Sequence, residues 1–297
     1  KKTAPTSVAP SGMGEIRINR RCNERCLFCN SRAGMDNFLE TPEAVLAGID
    51  ALHAQGALGI TLTGMEPTLD PRLPGYIRHA KALGFANIYV QSNGIRLADP
   101  ALCRELYEAG LDVVTLSLHA ASADIAARLT GYGNDLPDSL QAIDNLLALN
   151  LRVEVNLVLN RLNLGEAVPL VELLAARYNR PENEAARREF YERQEEITRL
   201  FMEPEGARGK IEARFGWPPR PPAAKEQPPL RLILSFIAPT FGNVLQRERL
   251  IPRYADVVPE LRAALDRAAA QRLPTSIAAR CSVPLCVMGA SYRHVPS

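Results

Sequence analysis

At 297 residues, 46% of them hydrophobic and 23% charged, the chain has the composition of a globular protein with a sizeable core, which excludes a disordered protein and a small disulfide-stapled scaffold. Thirty-five Lys and Arg against 33 Asp and Glu leave a formal net charge of +2, so neither the basic footprint of a nucleic-acid binder nor an acidic tail is present. No apolar run approaches the roughly 18 residues that a membrane helix needs, and Lys1-Lys2-Thr3-Ala4-Pro5 offers no apolar signal region, so export is not expected and a cytoplasmic location is. Without an initiator Met, the chain reads as part of a longer one.

Residues 1–13 read as an N-terminal tail. Residues 14–19 alternate apolar and polar side chains and read as a strand. A helix over 41–56 follows, with Thr41 as N-cap, Pro42 at its first position and Gly56 as its stop. Strand-like runs recur at 57–64, 87–94, 112–119, 152–160 and 231–239, and helical ones at 71–84, 99–110, 136–149 and 166–178. Such alternation implies parallel strands joined by right-handed crossovers, in either a doubly wound sheet or a barrel. An insertion over about 180–229 breaks the rhythm. It holds a charged helix at 182–202 and, at 217–229, six prolines that read as a stiff extended connector. It reads as a surface insertion, with a lid or docking arm as the alternative. Residues 254–271 read as a helix with a polar face, inside a C-terminal helical and irregular segment, 241–297, that covers one side of the core unit at 14–240.

Six Cys are present, and their clustering in a chain without a secretory signal points to metal or catalytic thiols rather than disulfides. Cys22, Cys26 and Cys29 form C-x3-C-x2-C directly after the first strand. Three thiolates at this spacing can converge on one inorganic centre. Tetrahedral zinc would need a fourth protein ligand, for which Cys281 or Cys286 are the candidates. A 4Fe–4S cluster held by three Cys leaves one iron open for a small molecule.

With Phe28 just before the last of these Cys, the segment resembles the radical S-adenosylmethionine (SAM) enzymes. The resemblance implies an open (β/α)6 barrel of TIM type, a 4Fe–4S cluster on Cys22, Cys26 and Cys29, and SAM bound to the open iron. Electron transfer then cleaves SAM to methionine and a deoxyadenosyl radical that abstracts a hydrogen atom from substrate. Gly64-Met65-Glu66-Pro67-Thr68-Leu69 is similar to the family's G-G-E-P-T-L, which implies that Gly64, Met65 and Glu66 meet the SAM amino group, with Glu66 as a charge-assisted acceptor. Met65 replaces the second Gly and would be strained at positive φ. Ser92-Asn93-Gly94 resembles T-N-G, and Arg128, before Leu129-Thr130-Gly131, the element whose Arg reaches the SAM carboxylate. Ser117 and His119 stand where a ribose- or substrate-facing residue is usual, His119 being a candidate catalytic group. Asn156 is a further cofactor contact, and Ile237 an adenine contact. These positions lie at strand carboxyl ends, where barrel active sites form. Each has a plainer alternative: a turn at Glu66-Pro67, a polar strand face for Ser117 and His119, a solvated helix position for Arg128, and local backbone satisfaction by Asn156.

Three readings stay open for Cys281 and Cys286: ligands of an auxiliary cluster, a catalytic hydrogen-atom donor as in radical epimerases, or packing residues. The expected activity is radical SAM catalysis on a small metabolite, as in natural-product pathways, with a peptide substrate as the alternative and a flavodoxin- or ferredoxin-type reductant as partner. Neither a membrane nor nucleic acid is an expected partner. An iron–sulfur electron carrier and a zinc-stabilised binding module are the alternatives of other classes.

Overall fold

Strand parity sets the architecture. Ile16, Ile60, Leu62, Ile88, Val90, Val114 and Leu116 are fully buried at alternate positions of successive strands, and Val153, Val155 and Leu157 continue the pattern. These side chains face the helices, while the intervening positions are mostly polar and face the concave side. The computed structural model describes residues 6–8, 12–29, 38–202, 227–237 and 247–278.

Eight strands form one sheet in strict chain order: β1 (Thr6–Val8), β2 (Met13–Arg17), β3 (Gly59–Thr63), β4 (Asn87–Ser92), β5 (Val113–Ser117), β6 (Arg152–Leu159), β7 (Leu230–Phe236) and β8 (Thr275–Ile277). Strands β2 to β8 are parallel, and β1 pairs antiparallel with β2. Sequential order without reversal is that of a barrel, since a doubly wound sheet turns back at a switch point. Among the described residues no pairing joins β8 back to β1, so the barrel is partial and open. Two strands extend the six read from sequence. β1 lies in the presumed tail, and three-residue β8 continues the parallel sheet beyond β7.

The crossovers are α1 (Pro42–Ala54), α2 (Leu73–Leu83), α3 (Pro100–Ala109), α4 (Ala123–Thr130), α5 (Asp135–Ala148) and α6 (Ala167–Tyr178), followed by α7 (Glu184–Met202), α8 (Arg247–Leu250) and α9 (Tyr254–Ala270). Their ends follow the sequence signals. The Thr41 hydroxyl accepts from the Ala44 amide at 3.2 Å, the Asp99 carboxylate accepts from Ala101 at 2.9 Å, and Gly84 and Gly110 close α2 and α3 in the left-handed conformation. Helix α4 contains Arg128 in an exposed helix position, the plainer alternative for this residue. It is short and sits between β5 and α5. Of the proline-rich connector, only 227–229 is described. No helix among the described residues is long and apolar enough to cross a membrane.

Candidate active site

The loop after β2 carries the cysteines, and two anchors hold it. The Arg25 amide donates to the Thr130 carbonyl at 2.8 Å and the Leu27 amide to the Leu129 carbonyl at 2.9 Å, pinning the loop to the carboxyl end of α4. Gly131 makes this approach feasible: its φ is +72°, and a Cβ there would lie 3.2 Å from Arg25 Cβ. On the other side, Asn19 is fully buried. Its amide nitrogen donates to the Glu66 carbonyl at 2.8 Å and its oxygen accepts from the Met65 amide at 3.3 Å.

Cys22, Cys26 and Cys29 are free, half-buried thiols that line one cavity of about 450 Å³ above the barrel. Burial pushes the Cys22 thiol up to about 11 and the Cys26 thiol higher still. The Cys26 thiol donates to Glu24 Oε2 at 2.8 Å. Glu24 is itself pushed up to about 8, chiefly by burial. Asp135, also buried, interacts with Glu24 through its carboxyl group, and burial raises it to about 6. Thiols held neutral by desolvation become thiolates when iron supplies the compensating charge. A cluster's three cysteines bind three different irons, so thiols that line one cavity can hold it without converging on a single point. The three thiols therefore fit a cluster.

The motif after β3 packs closely against Asn19. Gly64 is required by contact rather than by φ: a Cβ there would lie 2.7 Å from Asn19 Oδ1 and 2.9 Å from the Asn19 carbonyl. Met65 has no positive φ, so the strain anticipated for it does not arise. Gly64 and Met65 line the cavity, and Glu66 does not. The Glu66 carboxylate is fully buried and takes four donors: the Thr68 amide at 3.1 Å and hydroxyl at 2.5 Å, the Ser92 hydroxyl at 2.8 Å, and the Asn93 amide at 2.7 Å. Desolvation still outweighs these donors and raises its pKa. Glu66 thus ties the end of β3 to the end of β4, and its carboxylate is occupied within the protein. From Ser92-Asn93-Gly94 the Asn93 amide group reaches on to Asn23 Oδ1 at 2.8 Å, in the cysteine loop.

Ser92, Asn93, Ser117, His119, Asn156, Phe28 and Ile237 all line the same cavity. The Ser235 hydroxyl donates to Asn156 Oδ1. His119 is buried edge-on to Phe28, with ring centroids 4.7 Å apart. Its Nδ1 accepts from the Val158 amide at 3.2 Å, so the neutral ring carries its hydrogen on Nε2. Burial lowers its pKa to about 4. Arg128 is the residue that the fold does not bring in. It sits exposed on α4, outside the cavity lining, with its guanidinium 3.5 Å from the Leu162 carbonyl. The Arg128 to Gly131 element serves the site through the backbone of Leu129 and Thr130 instead. Cys281 and Cys286 lie outside the described residues.

Sequence reading missed Asn19, Glu24, Asp135, Ser235 and the strand residues Glu15, Arg17 and Gln91, of which all but Asn19 and Asp135 line the cavity. For Glu15 and Arg17 a signal existed: they alternate with buried Gly14, Ile16 and Ile18 and so face the concave side. For Asn19 none did, because its partners lie 46 and 47 residues away.

The model of the Radical SAM superfamily matches residues 16–174, just over half of the chain. The probable GTP 3',8-cyclase of Saccharolobus solfataricus is 34% identical over 160 residues, covering 53% of this chain and 51% of that protein. Its namesake from Thermoplasma volcanium is 32% identical over 166 residues, covering 55% and 50%. The chain thus spans about half the length of the curated relatives it matches. Among solved structures, Streptococcus suis SuiB bound to S-adenosylmethionine superposes with a TM-score of 0.60 at 12% identity, covering 90% of this chain and 49% of that one. A radical SAM methyltransferase from Sphaerobacter thermophilus gives 0.58 at 14%, covering 92% and 68%. At these identities the structural likeness shows the fold alone, the partial barrel.

Proposed function

The chain belongs to the radical SAM superfamily, and from that premise we propose that Cys22, Cys26 and Cys29 hold its 4Fe–4S cluster and that it acts by hydrogen-atom abstraction from a small polar substrate inside the barrel. The observation that carries this reading is that the three thiols, Gly64, Met65 and polar residues of six strands line one cavity. Cluster and SAM together supply the deoxyadenosyl radical that removes the hydrogen atom.

The chain's own residues bind and position. The Gly64–Met65 turn meets the SAM amino group, and Glu66 holds that turn in place without touching the cofactor. Phe28 and Ile237 flank the apolar parts of SAM, while Ser117 and Asn156 offer a hydroxyl and an amide to ribose or substrate. His119, neutral at physiological pH, acts as a hydrogen-bond donor through Nε2 rather than as an acid or base. Cys281 or Cys286 is retained as a candidate hydrogen-atom donor. A low-potential flavodoxin or ferredoxin supplies the electron, which agrees with a cytoplasmic setting.

The polar strand residues that line the cavity, Gln91, Ser117, Asn156 and Ser235 among them, support a polar substrate. The cyclisation of GTP for which the relatives are named is the second reading. Reconstitution with iron and sulfide, followed by SAM and a low-potential reductant, tests the proposal through deoxyadenosine formation. Iron incorporation without any deoxyadenosine would leave only an electron carrier.

A further inference from the structure

Two charged side chains of the cavity wall, the exposed Glu15 and the half-buried Arg17, have no partner among the described residues. Glu15 and Arg17 occupy successive inward positions of β2 and line the cavity, together with Gln91 of β4. None of the three makes a hydrogen bond or ion pair with its side chain among the described residues. In the same register row as Arg17 and Gln91, but on the far strands, the treatment is opposite: Glu154 of β6 pairs with Arg231 of β7 and accepts from the Thr115 hydroxyl at 3.2 Å. Residues two apart on a strand stand about 7 Å apart, beyond ion-pair reach of each other unless both side chains bend together. Arg17 pairs in register with Thr63, next to the Gly64–Met65 turn, and Glu15 with Thr61, one layer further in.

Charges left open to a binding cavity are met by the ligand, since an unpaired charge enclosed by a bound molecule is costly. The half-buried Arg17 suits an anionic partner and the exposed Glu15 beside it a cationic donor. The ionisable carboxyl and guanidinium groups of the lining are Glu15, Glu24 and Arg17, so a polyanion such as a nucleoside triphosphate would find a carboxylate in its path. Building on the function proposed above, we propose that the substrate is a free α-amino acid, with its carboxylate on Arg17 and its ammonium on Glu15. Bidentate guanidinium–carboxylate pairing supplies orientation as well as affinity, holding the side chain of the amino acid toward the cysteine end of the cavity.

The test uses the reconstituted full chain with SAM, probed with each of the twenty proteinogenic L-amino acids and, in parallel, with GTP and inorganic triphosphate. Calorimetric binding and the rate of deoxyadenosine formation are both recorded. The expected result is that at least one amino acid binds and accelerates deoxyadenosine formation, that Arg17→Gln and Glu15→Gln each weaken its binding roughly ten- to a hundredfold, and that SAM affinity stays within about twofold. Binding of GTP or triphosphate in preference to any amino acid overturns the assignment, and so does binding by none of the probes. Loss of SAM affinity in Arg17→Gln also overturns it, because Arg17 would then serve the cofactor carboxylate. Slow deoxyadenosine formation without any probe separates the two levels. If that basal reaction is present and depends on Cys22, Cys26 and Cys29, failure of the amino-acid probes refutes this inference alone; if it is absent, the function itself is refuted.

Discussion

Asn19 holds Glu66 by its backbone. The Asn19 amide nitrogen donates to the Glu66 carbonyl at 2.8 Å while its oxygen receives the Met65 amide at 3.3 Å, so one buried side chain fixes both ends of the turn assigned to the SAM amino group. Asn19→Ala leaves a buried carbonyl and amide unsatisfied. We expect a loss of about 1–3 kcal/mol in denaturant unfolding of the apo-protein together with weaker SAM binding by the reconstituted protein. Unfolding and SAM affinity both equal to wild type would refute the clamp.

Gly131 is the second anchor. Its left-handed φ and the nearness of Arg25 Cβ make Gly131→Ala costly by about 1 kcal/mol or more from backbone strain alone. The Arg25–Thr130 and Leu27–Leu129 hydrogen bonds hold the cysteine loop at this point, so the variant should also take up less iron on reconstitution. Full iron uptake with unchanged stability would show that the loop does not depend on this approach.

Arg128→Ala gives a clean contrast. The side chain is exposed on α4 and outside the cavity, so SAM affinity measured by calorimetry should match wild type. A drop of about tenfold, the scale of a lost charged hydrogen bond, would restore the carboxylate contact that sequence resemblance implied.

Much of this was legible in the sequence, for physical reasons that also mark its limits. The cysteine triplet and the Gly64 motif are local, and period-two burial makes the core strands readable. Helix α4 and strands β1 and β8 are short, and their stability comes from tertiary pairing rather than from local pattern. The hydrogen bonds of Glu66 are hidden from the sequence for a similar reason. Its four donors come from Thr68, Ser92 and Asn93, and only the fold brings the ends of β3 and β4 together. The exposure of Arg128 depends on how α4 is rotated, which eight residues of sequence do not determine.

His119 sets a pH dependence with a definite sign. Its folded pKa of about 4 lies below the ordinary value of 6.5, so between these limits the unfolded chain binds the extra proton. This contribution to stability is full above about 6.5 and is lost as pH falls toward 4, amounting to roughly 3 kcal/mol or slightly more. Buried Glu24 and Asp135 are shifted upward and act in the opposite direction, so the comparison must be made with His119→Gln. Apo wild type should lose stability relative to this variant on acidification from pH 7 to pH 4. Parallel stability curves would contradict a neutral, buried ring.

The central claim is that Cys22, Cys26 and Cys29 together hold the cluster that makes SAM cleavage possible. Its most direct measurement is deoxyadenosine formed by the reconstituted full chain with SAM and a low-potential reductant, compared across wild type, the three single Ala variants and the triple variant. The account predicts about four irons per wild-type chain, as one cubane cluster requires, with deoxyadenosine in wild type and none in any variant. Deoxyadenosine produced at the wild-type rate by the triple variant would contradict it.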